Sequence, residues 1–167
     1  QIDLNAANDA QIDLTQTVAP FLSQQNFANL NPMSIGDRVW RDVNNNGLLD
    51  SGENGIANVT LELYEDTNSS GAFEDGVDTL VATTTTNATG HYQFDDLLPG
   101  DCLAVIPSSN FGAGQALAGH PPSTGLDPVP APNTDVDDDN NGLFLAGVGV
   151  VTTGVLTLNA GGEPDGG

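Results

Sequence analysis

Residues 42–53 read Asp42-Val43-Asn44-Asn45-Asn46-Gly47-Leu48-Leu49-Asp50-Ser51-Gly52-Glu53. Oxygen-bearing side chains stand at positions 1, 3, 5 and 9 of this stretch, glycine at 6 and glutamate at 12. A backbone so decorated can wrap a hard divalent cation, which takes about six to eight oxygen ligands. Asp42, Asn44 and Asn46 each supply a side-chain oxygen and Leu48 supplies its carbonyl. Asp50 contributes directly or through water, and Glu53 closes the loop with both carboxylate oxygens. Gly47 permits the sharp turn because it has no Cβ to clash at positive φ. The same residue types also favour solvated turns. The glutamate at position 12 and the apolar Leu49 at position 8 tip the balance to a Ca²⁺ loop.

Two further clusters follow the same chemistry. Asp66, Asn68, Ser70, the Ala72 carbonyl and Glu74 occupy positions 1, 3, 5, 7 and 9 of a second loop, with Gly71 at 6. Its closing acid is displaced by one, since Val77 stands at position 12 and Asp78 just beyond. An ordinary acidic hairpin would look similar. Asp135, Asp137, Asp139 and Asn141 form a third group, alternate oxygen ligands on an extended stretch that could curl around one ion. Without a cation those aspartates would repel one another.

Charge sharpens the case for bound cations. The formal net charge is −21; Arg38 and Arg41 are the only basic residues besides two histidines, and there is no lysine. Such a chain repels itself when compact, so either cations offset the charge or much of it is disordered. A hydrophobic fraction of 38% in regular alternation argues against disorder. Nucleic acid and anionic membrane surfaces are expected to be poor partners, because both demand basic patches. No stretch is long and apolar enough to insert in a bilayer. No leader peptide is visible, and a start at Gln1 is expected to be a processed N-terminus. With Cys102 as the single cysteine, an internal disulfide is impossible. Asn58, Asn68 and Asn87 head N-x-Ser/Thr triplets, which arise readily by chance in an Asn- and Thr-rich chain.

Periodicity predicts an all-β chain. Residues 1–32 form an N-terminal extension in which Gln1-Ile2-Asp3-Leu4 is matched by Gln11-Ile12-Asp13-Leu14. The second match sits in a period-two strand pattern over residues 10–18, ended by Pro20; residues 21–30 read as a short helix or linker. From Met33 the punctuation is regular. Strands are expected over 35–40, 59–64 (Val59, Leu61 and Leu63 on one face), 79–86, 91–94 and 102–106. Residues 107–142 read as a long excursion without secondary structure, and 148–158 as the last strand or hairpin. Many short strands, turn signals between them and no long helix mean a β-sandwich over residues 33–167.

The segments Ile35-Gly36-Asp37-Arg38-Val39-Trp40, Asp42–Glu53, Gly55-Ile56-Ala57-Asn58-Val59-Thr60, Thr85–Phe94 and Leu98-Pro99-Gly100 together resemble the SdrD B-like domain family. The resemblance covers roughly residues 33–164. It implies a Cna-B-like, prealbumin-like sandwich, secreted to the cell surface and stiffened by calcium at Asp42, Asn44, Asn46, Asp50 and Glu53. Many Cna-B relatives close an internal Lys–Asn isopeptide bond; a chain without lysine cannot. The resemblance also implies a further apolar strand after Gly161-Gly162-Glu163-Pro164, and the sequence ends at Gly167 without one.

Catalysis finds no support in this pattern. His91 follows a turn and reads as surface, His120 precedes two prolines, and no nucleophile elbow is present. Cys102 shares an alternating face with Ala104 and Ile106 and reads as an inert buried thiol. Trp40 and Tyr92 read as core or core-edge aromatics. A sandwich lacking a strand invites another, and residues 10–18 supply a spare one. The expectation is a secreted structural subunit that polymerises head to tail by donating that strand to its neighbour, calcium stiffening the loops. The alternative is a stalk, spacer or ligand-binding B-type module of a bacterial cell-surface adhesin.

Overall fold

Eight short strands follow one another in the computed structural model, which describes residues 32–124 and 140–159. They are Met33–Arg38 (β1), Thr60–Glu65 (β2), Thr79–Thr85 (β3), His91–Leu97 (β4), Gly100–Ile106 (β5), Leu143–Leu145 (β6), Val150–Thr152 (β7) and Leu156–Leu158 (β8). All pairings are antiparallel. Among the described residues β1 and β4 make a two-stranded sheet, and the others make a six-stranded sheet in the order β3-β2-β5-β7-β6, with β8 also on β5. β7 and β8 lie end to end along one edge of β5, so that Thr152 faces Val105 and Leu158 faces Gly100. Thr153 spans the break: its N–H donates to the Ala104 carbonyl at 3.0 Å, and its Oγ1 accepts the Ala104 N–H at 3.1 Å. This is the all-β sandwich that the alternation predicts.

The core lies between the sheets. Met33 from β1 and Phe94 and Leu97 from β4 pack with Leu61, Leu63, Cys102 and Ala104 from β2 and β5. Val59, Leu61 and Leu63 share the predicted inward face, at 0%, 2% and 0% exposure. Burying each such side chain stabilises by about 1.5–3 kcal/mol. Cys102 is buried, and that burial pushes its thiol pKa up, as an inert core residue requires. On β5 both faces are buried, because Leu103 and Val105 join a second cluster with Phe73 and Val150 on the other side of the sheet. One-sided alternation did not announce that second cluster; Phe73 arrives from the loop between β2 and β3.

Several expectations need correction. The first strand starts at Met33 and stops at Arg38, not Trp40. Val39 turns away to pair with loop backbone, its N–H donating to the Gly90 carbonyl at 2.9 Å and its carbonyl accepting from Ile56 at 2.8 Å. Trp40 is left in a single bridge with Gly55. The strand predicted to end at Phe94 runs on to Leu97, and the next starts at Gly100. The stretch after Ile106 is not bare loop. It holds a 3-10 turn, Ser108–Phe111, and a run of turns that buries Leu117. The last hairpin begins earlier than expected, with Leu143–Leu145 pairing to Val150–Thr152. The strand reading of residues 10–18, the helix-or-linker reading of 21–30 and Asp135, Asp137 and Asp139 lie outside the described residues.

Candidate metal centres

The two Asp/Asn/Gly loops leave the sandwich at different points, one after β1 and one after β2, yet fold alike. In the first, Asp42 Oδ2 accepts the Gly47 N–H at 2.9 Å and Oδ1 the Asn46 N–H at 3.2 Å. In the second, Asp66 Oδ2 accepts the Gly71 N–H at 2.8 Å and Oδ1 the Ser70 N–H at 3.0 Å. Asn44 Oδ1 and Asn68 Oδ1 each accept the N–H two residues on, at 3.1 Å in both loops. Position 4 is left-handed in each (Asn45 φ 58°, Ser69 φ 56°), as is the glycine at position 6 (Gly47 φ 82°, Gly71 φ 78°). Position 11 also carries a positive-φ glycine twice, Gly52 and Gly76, a match that ligand spacing alone does not predict.

The loops also close alike. Glu53 Oε2 accepts the Asp50 N–H at 3.1 Å while its Oε1 accepts the Val43 N–H at 2.6 Å. Asp78 Oδ2 accepts the Glu74 N–H at 2.7 Å. The acid of the second loop stands one residue later and is one methylene shorter, and it returns to the same position-9 amide. Its other oxygen, Oδ1, is buried with no hydrogen-bond partner among the described residues. A buried carboxylate oxygen left unpaired is costly, and a cation would satisfy it.

The donor set fits a hard cation. Each side-chain oxygen at positions 1, 3 and 5 takes a backbone N–H, and all but Asp42 Oδ2, which also accepts the Ser123 hydroxyl, keep a second lone pair for a ligand. The amide nitrogens of Asn44 and Asn46 converge on Asp50 Oδ2 at 2.8 and 2.9 Å, and Asn68 reaches Glu74 Oε2 at 2.8 Å, so these groups already face one another. Ser70 Oγ donates to the Ala72 carbonyl at 2.9 Å. Among the described residues no three Asp, Glu, His or Cys side chains gather into a metal cluster of their own; the acids of each loop are interleaved with amide, hydroxyl and carbonyl oxygens. Of the third group only Asn141 is described, half-buried just ahead of β6.

Electrostatics already favour the ionised form. Burial raises the Asp42 pKa, but hydrogen bonds from the Ser123 hydroxyl and from the Gly47, Asn45 and Asn46 backbone outweigh it, and the carboxyl is held below its ordinary value of 3.8. Glu74 is lowered by the Asn68 amide and the Ser70 hydroxyl, against burial and the charge of Asp66. Ser123 and Thr124 are site residues that loop spacing could not reveal. Ser123 Oγ shares its hydrogen between Asp42 Oδ2 at 2.7 Å and Asn45 Oδ1 at 3.2 Å. Thr124 N–H donates to Asn45 Oδ1 at 2.9 Å, and Asn45 Nδ2 returns a bond to Thr124 Oγ1 at 2.8 Å. The partners are about eighty residues apart in sequence.

The family model described as the SdrD B-like domain matches residues 33–127, a span holding both loops and β1 to β5. The chain belongs to the SdrD B-like domain family. The match ends short of the residue 164 that the resemblance reached. Among curated proteins, this SdrD B-like domain is 32% identical over 129 residues to serine-aspartate repeat-containing protein E of Staphylococcus aureus, covering 77% of the chain and 9% of that protein. Serine-aspartate repeat-containing protein D of the same species is 30% identical over 115 residues, 69% of the chain and 7% of that protein. Colossin-B of Dictyostelium discoideum is 39% identical over 70 residues, 42% of the chain and 2% of that protein. The chain thus spans less than a tenth of the length of these relatives.

Proposed function

We propose that this SdrD B-like domain is a structural module of a cell-surface adhesin, a secreted stalk or spacer stiffened by calcium. It positions other surfaces rather than acting as a catalyst. The observation that carries the reading is the pair of loops, alike in dihedral pattern and hydrogen bonding, each returning a carboxylate to its position-9 amide. Asp42, Asn44, Asn46, the Leu48 carbonyl, Asp50 and Glu53 would hold one ion. Asp66, Asn68, Ser70, the Ala72 carbonyl, Glu74 and Asp78 would hold a second. Asp135, Asp137 and Asp139 with Asn141 are proposed for a third. Bound Ca²⁺ would supply a fixed positive charge at each loop and so tie the ends of β1 and β2 to the segments after them.

Calorimetry tests it. Ions that bind only the folded state stabilise by about 2.7 kcal/mol per site at a hundredfold excess over Kd. The melting temperature is expected to fall steeply in EDTA and to recover with calcium. Glu53→Gln, which keeps the loop's shape but loses its charge, is expected to weaken one class of site about tenfold or more. A melting curve indifferent to verified metal removal would end the calcium reading.

A second reading has its own support. Among the described residues the smaller sheet has two strands against six in the larger, and the sequence carries a spare strand pattern over residues 10–18. Strand donation between copies into a head-to-tail polymer follows from that pairing of surplus and deficit. Deleting residues 1–18 is expected to abolish any assembly, and assembly that persists unchanged would refute donation.

A further inference from the structure

Both arginines of the chain, its only Lys or Arg residues, line one cavity. It measures about 420 Å³ and is lined by residues from the end of β1 and from β5 and β7. Tyr92, Ile106 and Val151 give it apolar walls. Trp40 adds an indole whose Nε1–H is buried with no acceptor among the described residues. Asp37 and Asp42 line the same cavity as Arg38 and Arg41, so two acids balance two guanidiniums there. On a chain of net charge −21, this cavity is a place where an acidic segment meets no net repulsion. What it offers is apolar volume and a cation at the exposed Arg41. The complementary ligand is an extended segment with aliphatic side chains on one face and a carboxylate on the other.

The sequence contains that segment. In Gln11-Ile12-Asp13-Leu14-Thr15-Gln16-Thr17-Val18, period two sets Ile12 and Leu14 on one face and Asp13 on the opposite one. The first four residues are a repeat of Gln1–Leu4. We infer that this cavity is the acceptor for residues 11–18 of a second copy of the chain, Ile12 and Leu14 entering between the apolar walls and Asp13 meeting Arg41. The inference rests on the strand-donation reading and adds to it the receiving site and the charge pair that sets the docked position.

Sedimentation velocity of the full chain in calcium, over a rising concentration series, tests it with a charge swap. The wild-type chain is expected to associate with concentration. Arg41→Glu and Asp13→Arg are each expected to weaken association about tenfold or more. Mixing the two variants is expected to restore it, because each reversed cavity then meets a reversed segment; a misfolded variant would give no such rescue. A wild-type chain that stays monomeric overturns the inference, and so does association that ignores both single variants. If association survives both charge variants but is lost when residues 1–18 are deleted, strand donation stands and this acceptor site falls. If it survives the deletion too, both fall.

Discussion

Ser123 shows how one hydroxyl can set the state of a loop eighty-one residues away. Burial pushes the Asp42 pKa up, and the Ser123 hydrogen bond is the largest of the influences that bring it down. A carboxyl whose folded pKa lies below its unfolded one stabilises the fold above the unfolded value, and that contribution is lost as pH falls through the folded pKa. Ser123→Ala is therefore expected to move the Asp42 titration upward toward 3.8, read by carboxyl NMR, and to bring acid unfolding on at higher pH. Gly55 is a different kind of constraint. A Cβ there would collide with the Thr89 carbonyl and lie 2.7 Å from the Gly90 nitrogen, both backbone groups unable to rotate aside. Gly55→Ala is expected to cost about 3 kcal/mol, the upper end of overpacking penalties, measured by urea unfolding with an unchanged m-value.

Between elements, side chains do what the ladders cannot. Asn110, in the 3-10 turn, is 4% exposed. Its Oδ1 accepts the Thr60 N–H at 2.8 Å, and its Nδ2 donates to the Thr60 carbonyl at 2.9 Å and to the Pro107 carbonyl at 3.1 Å. It thus completes the backbone of the first residue of β2 as a neighbouring strand would. Asn110→Ala leaves the Thr60 N–H and carbonyl without these partners, while the Pro107 carbonyl keeps the backbone N–H of residue 110, and stability is expected to fall by about 2–3 kcal/mol in denaturant titration. Thr86, also 4% exposed, acts likewise just past β3 at the same end of the β2–β3 pair, accepting from Val59 N–H at 2.9 Å and donating to the Ile56 carbonyl at 2.7 Å. The second loop is itself part of the packing. Phe73, at its position 8, covers the outer face of the large sheet and meets Tyr64 edge-on at 4.9 Å. Ordering that loop and packing that face are therefore one event.

For the molecule as a whole, charge is the dominant liability. A chain at −21 gains from anything that screens or neutralises it. In EDTA, raising salt to about 1 M, where the Debye length falls to about 3 Å, is expected to raise the melting temperature. With calcium present the same salt increment is expected to give a smaller rise, because bound ions already offset part of the repulsion. Equal salt responses with and without calcium would separate stability from loop charge.

The alternation of Val59, Leu61 and Leu63 and the oxygen spacing of residues 42–53 were legible because both are local periodicities. Strand geometry repeats every two residues, and oxygen-bearing side chains recur at every second position of the loops, so sequence alone determined the sandwich, its inward faces and the order of those oxygen-bearing residues. It did not determine that Asp78 reaches the position-9 amide from one residue further on, that Ser123 holds Asp42, that Phe73 buries the second face of β5, or that Arg38 and Arg41 meet in one cavity. Those depend on contacts between segments tens of residues apart, and only the folded chain decides which distant groups share a surface.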